Sequence, residues 1–233
     1  MRGTLINAAG VGVGALLGMM AGAQLPRALE EMAMGGIGLV SLALGIKMFM
    51  ATKNPVVCVA AIALGGILGY ALGVQAGLET FAAWAERTVG GQGRFAEAIV
   101  TTSILFCIGP MTLLGCLEDG LTGRSDLLML KSAMDSVGAF FFAATLGPGV
   151  FVTCLVILVY QGALTLLAKR LAFLRDRPTM IAEITAVGGL IIVAVGLGLL
   201  SIRPMRVADY LPALVVAPLV LAVIERWEPS RAA

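Results

Sequence analysis

Apolar runs separated by short polar breaks fill this chain from one end to the other. Most runs are close to the roughly 20 residues that a helix needs to cross a hydrocarbon core of about 30 Å. The breaks predict about eight spans: Thr4–Gly22, Glu31–Met50, Val56–Ala76, Phe95–Leu117, Leu127–Leu146, Gly149–Ala168, Ile181–Ser201 and Val207–Ile224. Pro110 interrupts the fourth run, which predicts a broken or re-entrant helix there. The longest stretch read as lying outside a helix is about Gly77–Arg94, where Trp84 suits a headgroup interface. Strands of a membrane barrel would alternate every second residue in segments of about ten, and that pattern is absent.

Composition sharpens the class. Hydrophobic residues make up 59% and charged residues 13% of the chain, and the mean hydropathy is +0.99. A soluble domain is about 45–50% apolar and about 25% charged. The expectation is an all-α polytopic membrane protein, one transmembrane domain with no room for a soluble one. The first run reads as a retained span: Met1-Arg2 is a minimal charged region, and the run is long for a signal core. The chain has no histidine, which argues against histidine metal sites and histidine proton relays. Its four cysteines lie in or beside apolar runs without a CxxC and read as buried thiols. No cofactor is expected.

Charge placement sets an orientation. With the N-terminus inside, the inner segments carry ten Lys and Arg residues against five outside. The cluster KRLAFLRDR between the sixth and seventh spans dominates the bias. Both termini are then cytoplasmic.

The chain also repeats itself. EEMAMGGIGLVSLALG from Glu30 aligns without gaps to EITAVGGLIIVAVGLG from Glu183. Glu30 meets Glu183, Gly35-Gly36 meets Gly188-Gly189, and Leu44-Gly45 meets Leu197-Gly198. Spans one to three resemble spans six to eight. An offset of five spans gives the two units opposite orientation, as in many secondary transporters. The expected organisation is one repeat over about residues 3–76, a central two-helix insert over about 95–147 and a second repeat over about 149–226. Glycines recur at four-residue steps at Gly10, Gly14, Gly18 and Gly22, and at Gly65, Gly69 and Gly73. Such stripes let helix backbones approach closely.

Candidate chemistry concentrates between Thr101 and Gly149. An ionisable side chain at the bilayer centre costs about 2.5–3.5 kcal/mol on insertion scales, so its default reading is functional. Lys131 and Asp135 sit one helical turn apart and can neutralise each other. Asp135 is placed to bind a cation, a proton or a substrate amine. Lys131 balances it, meets a substrate carboxylate, or snorkels to the inner boundary. Thr102 and Ser103 lie shortly before Gly109-Pro110. Their hydroxyls serve backbone groups freed by Pro110, or the break exposes carbonyls to an ion or solute. Glu118 and Asp119 form a solvated turn or a vestibule cation site. Glu30 and Glu183 suit the positive starts of the second and seventh spans, with Glu183 a second candidate for coupling. Asn7 is a lone amide in the first span, an interhelical hydrogen bond or a ligand.

Enzyme signatures are absent. No Walker motif, GxSxG or histidine triad occurs, and only one aspartate lies deep in a span. No basic face points to nucleic acid, and KRLAFLRDR fits topology or lipid headgroups.

The opening GTLINAAGVGVGALLG, the central IGPMTLLGCLEDGLTG with LLMLKSAMDSVGA, and the closing EITAVGGLIIVAVGLGLLSI with RVADYLPAL resemble the YqgA-like family of bacterial inner-membrane proteins. The resemblance covers nearly the whole chain and is most specific in the centre. It implies a bacterial plasma-membrane protein of a kind loosely grouped with transporters. It supplies no substrate and no catalytic residue. Family members often carry Asn where this chain has Gly198, which speaks against an essential role for that position.

Together these readings give a secondary transporter or facilitator of a small polar solute, with the site at the broken fourth span. Lys and Asp together favour a zwitterion such as an amino acid, or a cation. The alternatives are an ion channel formed by a homo-oligomer and a non-transporting membrane scaffold or signalling protein.

Overall fold

The computed structural model describes residues 1–22, 26–89 and 94–227. Among the described residues eleven α-helices follow one another: α1 (Arg2–Gly22), α2 (Arg27–Phe49), α3 (Pro55–Leu72), α4 (Val74–Val89), α5 (Phe95–Cys107), α6 (Pro110–Thr122), α7 (Asp126–Leu146), α8 (Gly149–Leu166), α9 (Ala168–Leu171), α10 (Pro178–Leu199) and α11 (Ala213–Trp227). Short 3-10 segments, Ala172–Asp176 and Val207–Tyr210, precede α10 and α11. Helices α1, α2, α3, α7, α8, α10 and the segment Val207–Trp227 are each long and apolar enough to cross a membrane. Helices α5 and α6, bent by 63° at their junction, form the eighth candidate crossing.

Glycine sets how closely the helices pack. A methyl group on Gly14, Gly18 or Gly22 of α1 would strike the backbone of Ser136, Phe140 or Ala144 on α7. The two helices therefore run parallel with their backbones in contact. Helix α2 meets α10 in the opposite sense. A Cβ on Gly45 would lie 2.6 Å from Gly189 O, and one on Gly189 would lie 2.5 Å from Gly45 O. Gly65 and Gly69 of α3 meet Ala213 and Asp209, again antiparallel. Helix α10 is the core element: 67% of its most apolar window is buried, against 28–39% in the other single spans.

Each helix of the first apparent unit thus packs against its proposed counterpart in opposite sense: α1 with α8, α2 with α10, α3 with α11. Aligned residues nevertheless meet different surroundings. Glu183 is fully buried and Glu30 half-buried. A Cβ on Gly36 would meet open space, whereas one on Gly189 would strike backbone.

The stretch read from sequence as a loop after the third span is largely helix α4. Helix α3 stops four residues before the expected Ala76. Gly73 adopts a left-handed φ of 65°, which a β-carbon disfavours, and re-aims the chain. One face of α4 then buries Ala82 and Ala85 against Phe95 and Ile99, while Trp84 stays exposed. The expected Gly77–Arg94 loop also includes residues 90–93, which lie outside the described ones.

The broken fourth span extends along the whole bundle. Phe95, at the start of α5, lies against Gly149 at the start of α8. Asp119, in the last turn of α6, bonds to Met1 and Gly3 at the start of α1. Thr4 of α1 meets Thr165 at the far end of α8 from Gly149, so the two ends of α5–α6 lie at opposite ends of the bundle.

Candidate functional site

The α1–α7 contact carries the buried charge. Asn7 of α1 and Lys131 and Asp135 of α7 come together in the interior, where Lys131 and Asp135 are each only 7% exposed and Asn7 is 0% exposed. Lys131 Nζ pairs with Asp135 Oδ2, and Asn7 Nδ2 donates to the same oxygen at 3.1 Å. A carboxylate only accepts, so this contact fixes the amide's orientation. Asn7 Oδ1 is left buried without a protein partner. Asp135 lies nine residues after Asp126, roughly 14 Å along a helix of about 31 Å, near the middle of α7. Lys131 turns inward to the pair and does not snorkel to the boundary.

Sequence reasoning missed Gln161. It sits on α8 with 0% exposure, and neither its Oε1 nor its Nε2 has a partner. Thr4 Oγ1 and Thr165 Oγ1 are 3.3 Å apart, and a Cβ on Gly12 would lie 3.4 Å from Cys154 Sγ. These contacts fix the antiparallel register of α1 and α8, and they put Gln161 at the height of Asn7. The signal was present: an amide inside an apolar run, the same argument that singles out Asn7.

The helix break is built differently from expectation. Cys107 ends α5, Gly109 takes φ 154° and Pro110 opens α6. Ile108 packs on α10, with its Cγ2 2.5 Å from a Cβ position at Gly188. The hydroxyl that bridges the break is Thr112, donating to Phe106 O at 3.3 Å. Thr102 instead donates to Ala98 O at 2.7 Å and meets Thr153 of α8 at 2.6 Å. Ser103 Oγ is buried and unpartnered.

The other acidic candidates lie apart from this centre, and two of them hold helix starts. Glu183 does not cap its own helix. It accepts Lys53 N at 2.7 Å, Asn54 N at 2.9 Å, Thr52 Oγ1 at 2.7 Å and Cys58 Sγ at 3.6 Å, which closes the α2–α3 turn. Asp119 is buried and takes Gly3 N at 3.1 Å and the Met1 ammonium at 2.8 Å, so it is not a solvated turn residue. Asp209, which the sequence reading did not select, does the same for α4 by accepting Gln75 N at 2.9 Å. Its bond to Arg206 raises that guanidinium above its ordinary value. In each case a carboxylate meets the positive end of a helix from another element. Glu118 lies at the surface, 3.7 Å from Arg124. Glu30 faces a shallow crevice with Met19, Arg94 and Pro148.

Two polar crevices flank α10 at opposite ends. One of about 500 Å³ holds Gln75, Glu79, Arg94 and Glu97 beside the last turns of α10. The other, about 520 Å³, holds Lys53, Asp176, Arg177 and Glu225 beside its first turn. An apolar crevice of about 270 Å³ opens between them at the helix break, lined by Gly109, Pro110, Tyr160 and Met180. Lys131 and Asp135 line none of the three; the centre is closed. Among the described residues no three His, Cys, Asp or Glu side chains converge as metal ligands.

The fold and its buried ionic centre define a multi-pass α-helical membrane protein. Over residues 2–222 the chain matches the family described as "Protein of unknown function (DUF554)", and it belongs to that family. It is 31% identical over 231 residues to "Uncharacterized protein YqgA" of Escherichia coli (strain K12), covering 97% of this chain and 98% of that one. It is 28% identical over 231 residues, with the same coverage, to "Uncharacterized membrane protein YdfK" of Bacillus subtilis (strain 168). The family resemblance read from the sequence motifs is thereby borne out. No solved structure matches.

Proposed function

We propose that this protein is a secondary transporter or facilitator of a small polar solute in the bacterial inner membrane, with both termini cytoplasmic. The observation that carries the reading is the buried Lys131–Asp135 pair, which Asn7 joins in the bundle interior. Intramembrane charge of this kind is by default part of a solute or ion pathway. The broken span beside it and the polar crevices at the two ends of α10 supply the other parts a carrier needs. In this closed arrangement Asp135 binds the cationic part of the solute or a coupling proton, and Lys131 balances its charge. The helices α1–α3 and α8–α11 act as two inverted units around the α5–α7 insert, rocking about the Gly45–Gly189 contact. Glu183 holds the α2–α3 turn through that motion.

Counterflow in proteoliposomes tests the reading. Preloaded amino acid or amine should accelerate uptake of the labelled compound, saturably, and Asp135→Asn should abolish it while still folding. Single-channel currents would replace the carrier by a pore. Absence of both would leave a scaffold.

A further inference from the structure

Among the described residues four buried polar side-chain atoms have no protein partner: Asn7 Oδ1, Gln161 Oε1, Gln161 Nε2 and Ser103 Oγ. Buried polar groups are nearly always satisfied, and each exception calls for an explanation. Asn7 and Gln161 supply three of the four. Asn7 Oδ1 belongs to the amide that already touches Asp135, and Gln161 stands at the same height on the facing helix. Gln161 also belongs to the buried face of α8, in line with Thr153 and Thr165, which meet Thr102 and Thr4.

We propose that the Lys131 ammonium is a tethered competitor at a cation site, where it holds the carboxylate and leaves two amide oxygens open. The site consists of the Asp135 carboxylate, Asn7 Oδ1 and Gln161 Oε1, and its external ligand is the primary ammonium group of a small amine or amino acid. This rests on the reading of the cluster as a solute site and adds to it Gln161 and the role of Lys131 as a competitor for the site. Three helices, α1, α7 and α8, each contribute one oxygen, which matches the three N–H donors of a primary ammonium. Lysine carries that group on its own side chain, so its bond to Asp135 stands in for one of the three contacts that a free ammonium makes. A solute ammonium displaces the side chain, and Lys131 then swings away to meet the solute's anionic end or water. The two cations exchange on one carboxylate, so the interior stays neutral throughout and avoids the cost of an unpaired buried charge.

Chemical rescue tests this. Lys131→Ala, purified in ethylammonium chloride, is heated with ethylammonium or with tetramethylammonium at equal ionic strength. Ethylammonium should raise its unfolding midpoint by several degrees, saturably. Tetramethylammonium, which has no N–H donor, should not. The response should vanish in Lys131→Ala/Gln161→Leu and in the charge-neutral Lys131→Met/Asp135→Asn, which serves as the folded control. Equal responses to both cations, or a full response without Gln161, would overturn the proposal; the second would leave that amide to water. Failure of Lys131→Ala to fold even in ethylammonium would overturn it as well. Wild-type flux without rescue would remove the ligand assignment alone, and rescue without wild-type flux would remove the carrier reading alone.

Discussion

Glu183 Oε1 accepts the backbone N–H of Asn54 at 2.9 Å, so the first turns of α10 close the start of α3. The carboxylate is 0% exposed and takes a second backbone N–H and two side-chain donors. Hydrogen bonds to a charged acceptor contribute about 1.5–3 kcal/mol each, and buried donors left bare cost about 1–3 kcal/mol. Glu183→Ala should therefore lower stability by about 3 kcal/mol or more. Glu183→Gln, which keeps an acceptor, should lose less. Thermal unfolding in detergent micelles reads the difference, and equal midpoints for the three proteins would contradict the capping role.

The glycine stripe on α1 makes a sharper contrast. Gly14→Leu would drive a side chain into the α7 backbone, and overpacking of this kind costs about 1–3 kcal/mol. Gly36→Leu enters open space and should stay within about 0.5 kcal/mol of the parent. Similar losses at both positions would show that the α1–α7 contact is looser than described.

Lys131 and Asp135 should be strongly coupled. Removing one partner of a buried pair costs about 3–5 kcal/mol, because the other charge is left uncompensated. Lys131→Met and Asp135→Asn should each destabilise, while the double variant recovers most of the loss. Additive losses in the cycle would mean the charges do not meet in the membrane interior.

The broken span makes a topological prediction. Arg94 precedes α5 and Arg124 follows α6, both exposed. An impermeant maleimide applied to intact cells should label Arg94→Cys and spare Arg124→Cys until the membrane is opened. Labelling of both from outside would make the segment re-entrant.

Local periodicity carried much of this structure. The glycine steps on α1 and α3 announced helix contacts, and the four-residue spacing of Lys131 and Asp135 announced a pair on one face. Both features need only the geometry of a single helix. Helix α4 was not legible because its length of 16 residues and its polar face read as a loop, and because the left-handed turn at Gly73 looks like any other glycine in a stripe. The partners of Glu183 and Asp119 lie more than a hundred residues away, in contacts that no local pattern encodes. Thr112 rather than Thr102 bridges the break, because the 63° bend turns α6 back toward Phe106. Gln161 carried a readable signal, an amide alone in an apolar run.

The central claim is that Asp135 serves a solute. The measurement that tests it most directly is counterflow of labelled amines and amino acids into proteoliposomes, with wild type beside Asp135→Asn and the charge-neutral Lys131→Met/Asp135→Asn. The account expects saturable counterflow by the wild type and none by either variant, with the double variant as stable as the parent to within about 1–2 kcal/mol. Counterflow that survives in the folded double variant would show that the buried pair holds the bundle together and that the solute passes elsewhere.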